Sequence, residues 1–490
     1  MVDLQLSALW PVLAPALAAV AVLVLDIAWP RARGAHLVLV AVGLLGGAAA
    51  TVPGVLQGPG AGRNALCLPQ GSCLYTAGSL TSGLQALALL AALVVLVLAW
   101  ADWSHGEGGR SAVIAALVLG ATAGVVAVPA AGDLASLLVA LELATLPTVA
   151  LVALERRASR QGVAIDGAVA LLTTSLVSFA LLALGAALWV AATGTAVLSR
   201  DAMTGAVSDP ARLTLLSVAA VLALAGMAFK LSAVPFHAWT PLSYAGASLP
   251  VTTYLATVSK VAALGGVVVV VTALGGASDT SLLAVAVLAA LSMTLGNAVA
   301  LVQHNTVTLL AWSTVAQAGW VLLPLVSLSS RATRAAGGYL TVYAVATLLA
   351  FVVVILVAAR SGVALSDHRG LLRDRPWLGL PLAFALLSLA GLPPAIIGLV
   401  AKIVVIRPIA GDGMWWLAVV AALNVALGIA VYLRWLGVLA ARPDPADALR
   451  ETEREAGYST YPRVPWPHAA LVALLTALLV LGSIAPIGVF

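Results

Sequence analysis

Residues 222–264 read LALAGMAFKLSAVPFHAWTPLSYAGASLPVTTYLATVSKVAAL, and this stretch decides the fold. Lys230 and Lys260 each lie in an apolar run long enough to cross a bilayer. Pro235 interrupts the first run, and His237, Trp239, Thr240 and Pro241 follow at once. A proline inside a helix removes a backbone donor and clashes with the preceding turn. Within hydrocarbon such a break survives only where protein or water satisfies the freed carbonyls. An ammonium at that depth costs about 3 kcal/mol on insertion scales. Two such costs within five residues point to a transport pathway.

The rest of the chain agrees. Its 490 residues are 62% hydrophobic and 9% charged, far from the quarter of charged residues usual in a soluble globule. Repeated apolar runs of about 20 residues mark an all-α polytopic membrane protein. The short alternating strands of an outer-membrane barrel are missing from the pattern. Residues 4–29 are too long for the apolar core of a signal peptide and lack a basic start. The net charge of +5 is spread over loops without interleaved aromatics, which argues against nucleic acid as a partner.

Fourteen spans are expected, near 4–29, 34–56, 79–101, 111–130, 133–154, 163–193, 211–235, 249–275, 280–302, 305–328, 335–359, 377–407, 414–440 and 466–488. Connections after odd-numbered spans carry most arginines, among them Arg31, Arg156, Arg157, Arg373 and Arg450. Those after even-numbered spans hold only Arg63, Arg200, Arg212, Arg331, Arg334 and Arg407. The positive-inside rule then puts odd loops in the cytoplasm and both termini outside, in a bacterial plasma membrane. The polar insert 441–468 becomes a cytoplasmic connector, and the loop with Cys67 and Cys73 becomes external. There a disulfide and two inert thiols are both open readings. Two cysteines are too few for an iron–sulfur cluster, and no nearby histidine completes a zinc site. Gly58-Pro59-Gly60-Ala61-Gly62 follows no strand and opens no helix, so it reads as a turn, not a nucleotide loop.

Pro235 falls in span seven and Pro393-Pro394 in span twelve, each the fourth helix of a five-helix block. An odd number of helices per block gives the two copies opposite orientations, as in transporters with inverted repeats. The division is residues 1–110 (helices 1–3), 111–278 and 279–440 (the two repeats), and 441–490 (loop and last helix). LALAG at 222–226 and LSLAG at 387–391 echo each other before the breaks.

Lysine usage sharpens the chemistry. Lys230, Lys260 and Lys402 are the only lysines, and all three are inside apolar segments, while arginine fills the loops. Arginine stays protonated, whereas a buried lysine can lose its proton. Snorkelling is the bland explanation of the same preference. Glu142 is the acid that falls mid-span, with Thr145 one turn on. Thr253, Thr257 and Lys260 form one stripe at helical spacing; Thr306, Ser313 and Gln317 form another, with His304 at its end. Stripes of threonine alone are commonly packing surfaces. Burial disfavours a charged amine and a nearby carboxylate restores it, so motion of Glu142 relative to Lys230 would switch a proton on and off. Lys260, His304 and Lys402 would extend that relay. A static Glu142–Lys230 pair is the plainer alternative, but it leaves Lys260 and Lys402 without an acid.

FKLSAVPFHAWTP followed by PVTTYLATVSKVAAL, with DLASLLVALELATL, NTVTLLAWSTVAQAGWVL and SLAGLPPAIIGLVAKIVVI, resembles the antiporter-like membrane subunits of respiratory complex I. The resemblance runs from about Asp133 to Arg434. It implies a fourteen-helix fold with inverted five-helix halves and broken helices 7 and 12. It further implies that Glu142, Lys230, Lys260 and Lys402 are proton-translocation residues, with His237 matching the histidine after the first break. No cofactor is expected on this chain; NADH, FMN, iron–sulfur clusters and quinone would be handled by partner subunits of the membrane and peripheral arms. Departures from the family pattern are Leu242 and Ser243 after WTP, Gln317 in the tenth helix, Val307-Thr308, and Ala170 at the sixth. They imply either altered entrances to the proton path or a divergent paralogue. Two alternatives stand beside this reading: an Mrp-type sodium/proton antiporter subunit, and a non-pumping structural paralogue.

Overall fold

Without water to satisfy backbone groups, an apolar chain must close its hydrogen bonds within each segment, and the helix does so. A computed structural model describes residues 5–30, 32–58, 60–69, 71–104, 110–155, 160–274, 279–442 and 464–486. Its first helices are α1 (Leu6–Ala28), α2 (Arg33–Val55), α3 (Ser79–Ser104), α4 (Arg110–Ala127), α5 (Leu134–Ala153) and α6 (Gln161–Thr193). The short α7 (Arg200–Val207) precedes α8 (Pro210–Leu231), α9 (Trp239–Gly246), α10 (Leu249–Ala256) and α11 (Val258–Leu274). Then come α12 (Asp279–Ala300), α13 (Thr306–Leu322), α14 (Ser330–Ala358) and α15 (Leu371–Asp374). The chain finishes with α16 (Pro376–Ala390), α17 (Ile396–Gly411), α18 (Trp415–Ala440) and α19 (Trp466–Ile484).

Among the described residues, thirteen segments are long and apolar enough to cross a membrane. The expected span at 377–407 is the exception, because it is divided into α16 and α17, each too short alone. Span seven is divided as expected, α8 ending at Leu231 and α9 starting at Trp239. A third interruption was not anticipated. At Thr257 (φ −125°, ψ −66°) α10 gives way to α11, so the stripe of Thr253, Thr257 and Lys260 is not one continuous helix face.

Burial grades from the inside outward. Residues 306–326 and 330–358, covering α13 and α14, are almost wholly buried, and Phe351, Val352, Val353 and Val354 have no exposed surface. Helices apolar all round belong in such a position. The outermost helices α1, α6, α18 and α19 instead expose Leu17, Val177, Leu423 and Leu481, as a lipid-facing surface requires.

One small sheet departs from the helical pattern. Strands β1 (Gly62–Cys67) and β2 (Cys73–Gly78) form an antiparallel hairpin. Cys67 and Cys73 pair in register and form a disulfide, which settles the question left open by the sequence. The hairpin is tied down by Arg63, which donates to the carbonyls of Ala50 and Ser7, and by Gln85, which donates to the Tyr75 hydroxyl at 2.9 Å. Most of the 441–468 connector lies outside the described residues.

Candidate proton-transfer site

The site grows from the end of α8. A helix leaves its last carbonyls without intrahelical partners, and inside a membrane each needs one. Here Ala233 N–H donates to Ala228 O at 2.8 Å and Ser232 N–H to Phe229 O at 3.0 Å, the paired bonds of a Schellman cap. Ser232 takes the left-handed conformation, φ 71°. Phe229 O also accepts from Trp239 Nε1 at 3.0 Å, and Lys230 O accepts from Lys260 Nζ at 3.5 Å. Beyond the cap the Val234–Pro235 peptide is cis, and the Val234 N–H donates to Ser292 Oγ of α12 at 2.9 Å.

Lys260 therefore reaches from α11 into the negative end of α8, where the helix dipole favours a cation. Its ammonium donates to Ser232 Oγ at 2.6 Å and stands 4.8 Å from the Trp239 ring centroid. Thr240 donates to the same Ser232 Oγ at 2.6 Å. The side chain is 2% exposed, and none of these partners is an acid.

The second break repeats the arrangement. At the end of α16, Leu392 N–H donates to Leu387 O at 3.0 Å and Gly391 N–H to Ser388 O at 3.2 Å, with Gly391 left-handed at φ 77°. Lys402, from α17, donates to Ala390 O at 2.6 Å and lies 5.2 Å from the Trp320 ring centroid. The Pro393–Pro394 peptide is cis, and Ile397 N–H donates to Ser483 Oγ of α19 at 3.3 Å. Gly398 lets α17 start hard against the Ser388 backbone, where any Cβ would collide.

Lys230 sits in the last turn of α8, two residues before the cap residue Ser232. Its ammonium donates to Thr145 Oγ1 on α5, and to Ser175 Oγ on α6 at 3.2 Å. Glu142 forms no direct ion pair with it. Thr145, one turn along α5, stands in the direct contact that the sequence reading gave to the acid.

Between the two lysine sites runs a belt of hydroxyls that the sequence reading did not select. Tyr343 donates to Ala256 O, the carbonyl freed beside the Thr257 interruption, at 2.9 Å, and its hydroxyl also meets Thr314 at 2.9 Å. Next to Thr314, Ser313 meets the Tyr432 hydroxyl at 2.6 Å, and Gln317 Nε2 donates to the same hydroxyl at 3.0 Å. Tyr339 donates to Gln317 Oε1 and stacks on Trp320, the ring beneath Lys402. Tyr339 and Tyr343 are one turn apart on α14, a polar pair in an aliphatic run that was available as a signal.

The two histidines expected in secondary roles lie outside this belt. His304 precedes the N-cap Asn305 of α13 and is exposed, so it lies at the end of the bundle instead of inside the chain. Thr306, at the base of the same stripe, donates to Val363 O at 2.9 Å. His237 lies within the first break, half-buried, with its ring 5.1 Å from that of Trp312. Among the described residues no group of three His, Cys, Asp or Glu side chains comes together as a metal site would need.

Comparison with known proteins gives the family of the chain. Residues 131–428 match a family model described as NADH:quinone oxidoreductase/Mrp antiporter, TM. The chain is 39% identical to NADH-quinone oxidoreductase subunit N 2 of Streptomyces griseus, over 97% of this chain and 91% of that protein. It is 40% identical to NADH-quinone oxidoreductase subunit N of Salinispora tropica, over 90% and 86%. A chain of respiratory complex I from Thermus thermophilus superposes with a TM-score of 0.77 at 29% identity, covering 97% of both. A chain of the Mrp complex from Dietzia sp. superposes at 0.82 with 23% identity, over 98% and 94%, a likeness of fold alone. The chain belongs to the NADH:quinone oxidoreductase/Mrp antiporter family of membrane proteins, with subunit N of bacterial NADH–quinone oxidoreductases as its kin.

Proposed function

We propose that this chain is a proton-translocating membrane subunit of a respiratory NADH–quinone oxidoreductase, and that Glu142, Lys230, Lys260 and Lys402 carry the proton. Redox chemistry with NADH, FMN, iron–sulfur clusters and quinone belongs to partner subunits on this reading. The observation that carries it is the placing of Lys260 and Lys402, each an ammonium on the carbonyl end of a broken helix. Both are held by neutral groups: carbonyls, an aromatic face and, for Lys260, a hydroxyl. Loss of a proton from such a lysine strands no buried carboxylate, so the charged and neutral forms differ by less than in a buried ion pair.

Glu142 is the switch in this scheme. Its charge acts on Lys230 across Thr145, so a small shift of α5 against α8 changes how firmly Lys230 holds its proton. His237, in the break, and exposed His304 take secondary roles. The two matching breaks support dividing 111–278 and 279–440 as inverted repeats. Glu142→Gln keeps the shape and removes the charge. We expect assembled complexes to oxidise NADH in sealed vesicles with a proton gradient several-fold smaller. A normal number of protons per NADH would remove Glu142 from the mechanism.

The arginine distribution supports cytoplasmic odd loops, with both termini and the disulfide hairpin outside. An impermeant thiol reagent should label a single cysteine in the hairpin, and should miss one in the 441–468 connector. The opposite pattern would invert the topology.

A further inference from the structure

His368 is a buried histidine that the relay does not use. It ends the 3-10 turn Leu365–His368 between α14 and α15, with no exposed surface. Its Nδ1 lies 3.2 Å from Ala364 O. A carbonyl only accepts, so Nδ1 carries a proton and donates. Burial pushes the imidazole down to about 4, which leaves the ring neutral near pH 7 and makes Nε2 a bare acceptor. That Nε2 is buried and has no hydrogen-bond partner among the described residues.

The neighbouring ring has the complementary need. Trp435 of α18 stands perpendicular to His368, ring centroids 5.6 Å apart, fully buried, and its Nε1–H donor also lacks a partner among the described residues. An unmet acceptor beside an unmet donor matches the two faces of a water molecule, which both accepts and donates. Buried polar groups are satisfied in this way in most proteins. One turn earlier on the same face of α18 is Tyr432, which joins Ser313 and Gln317. The 3-10 turn is itself anchored beside exposed His304, since Leu365 N–H donates to His304 O at 2.8 Å.

We propose that a water held between His368 Nε2 and Trp435 Nε1 forms a proton entry into the second half, linking the end of the bundle that carries His304 to the Tyr432–Gln317–Tyr339 chain below Lys402. The inference rests on the relay reading of Lys402. The water donates to His368 and accepts from Trp435, leaving one hydrogen and one lone pair for its neighbours. A proton arriving from the bundle end is taken up at His368 Nε2, while Nδ1 keeps its own on Ala364. The imidazolium returns the Nε2 proton to the water, which passes it toward the Tyr432 hydroxyl. No net charge remains on His368 after the passage. The indole stays N–H throughout and acts as a positioning group.

The test uses the assembled complex in sealed vesicles, with NADH oxidation and the pH gradient followed together. His368→Phe fills the ring volume without an acceptor, and should lower protons moved per NADH at least about threefold. His368→Gln, which restores an acceptor, should recover more than half of the loss. A merely structural histidine would not show that rescue pattern. Trp435→Phe removes the donor alone, should lower pumping about twofold, and carries the same test if His368→Phe does not assemble. Lys402→Met in parallel separates the two claims. Full pumping by the His368→Phe and Trp435→Phe complexes beside a failing Lys402→Met complex would overturn the entry and leave the relay standing. Full pumping in Lys402→Met would overturn the relay, and the entry with it.

Discussion

At the end of α8 the left-handed cap residue is Ser232, φ 71°, and at the end of α16 it is Gly391, φ 77°. Both caps carry the same pair of backbone bonds, both are followed three residues later by a cis proline, and both receive a lysine. The lysines arrive by different routes. Lys260 crosses from α11, a separate span, whereas Lys402 folds back from α17 across its own break. The cap residue reflects the route. Ser232 supplies a hydroxyl to Lys260 and Thr240, at the cost of a side chain in a conformation that disfavours one. Gly391 supplies nothing, and a Cβ there would lie 3.0 Å from Lys402 Cδ. One backbone device thus gives a lysine that depends on packing between helices, and another set by its local loop.

Replacing the lysines should give the largest effects. On the proposed relay, Lys260→Met and Lys402→Met each remove a proton carrier, and loss of a positioned acid or base costs on the order of 100-fold in favourable cases. We expect the proton gradient in sealed vesicles to fall about tenfold or more in both. The comparison predicts a difference in stability: Lys260→Met removes two hydrogen bonds, to Ser232 Oγ and Lys230 O, and Lys402→Met removes one, to Ala390 O, so the former should lower the melting temperature of the complex more. Equal losses would mean that the routes do not matter.

The cap residues should give smaller and opposite effects. Gly391→Ala places a side chain at positive φ and against Lys402, and should destabilise by about 1–3 kcal/mol. Ser232→Gly relieves the backbone while removing a hydrogen-bond partner, so its stability should change by less than about 1 kcal/mol. Its proton gradient should nevertheless drop. Thermal unfolding of the purified complexes, read beside the vesicle assay, checks both. A Ser232→Gly complex that pumps normally would reduce the hydroxyl to a structural cap.

The parts of this architecture legible in the sequence were those where a costly residue interrupts a uniform background. Three lysines and two proline breaks in apolar runs qualified, and the spans and both breaks follow from them. The echo of LALAG and LSLAG pointed to the right helices in the wrong register. Aligned on the caps, Ser232 matches Gly391, so the glycines of the two echoes do not correspond. The interruption at Thr257 was not legible because neither proline nor glycine marks it; tertiary contacts, among them Tyr343 on Ala256 O, stabilise the opened turn. Tyr339, Tyr343 and Tyr432 were overlooked because an aromatic in an aliphatic helix reads as core until its hydroxyl partner is known. His304 was read at the end of a helical stripe, and it stands there, one residue before the N-cap Asn305.

The central claim is that these lysines exchange protons instead of anchoring charge, and Lys230→Arg tests it most directly. Thr145 and Ser175 present two hydroxyl acceptors, which an arginine fork can also use, so a purely structural cation should be replaceable. Arginine remains charged even when buried, with a pKa above about 12, so a cation that must release its proton in each cycle should not be replaceable. The measurement compares assembled wild-type and Lys230→Arg complexes in sealed vesicles, recording NADH oxidation and the pH gradient in the same sample. The account predicts normal assembly, a gradient reduced several-fold and, where coupling is tight, slower oxidation. A full gradient at wild-type turnover would contradict it.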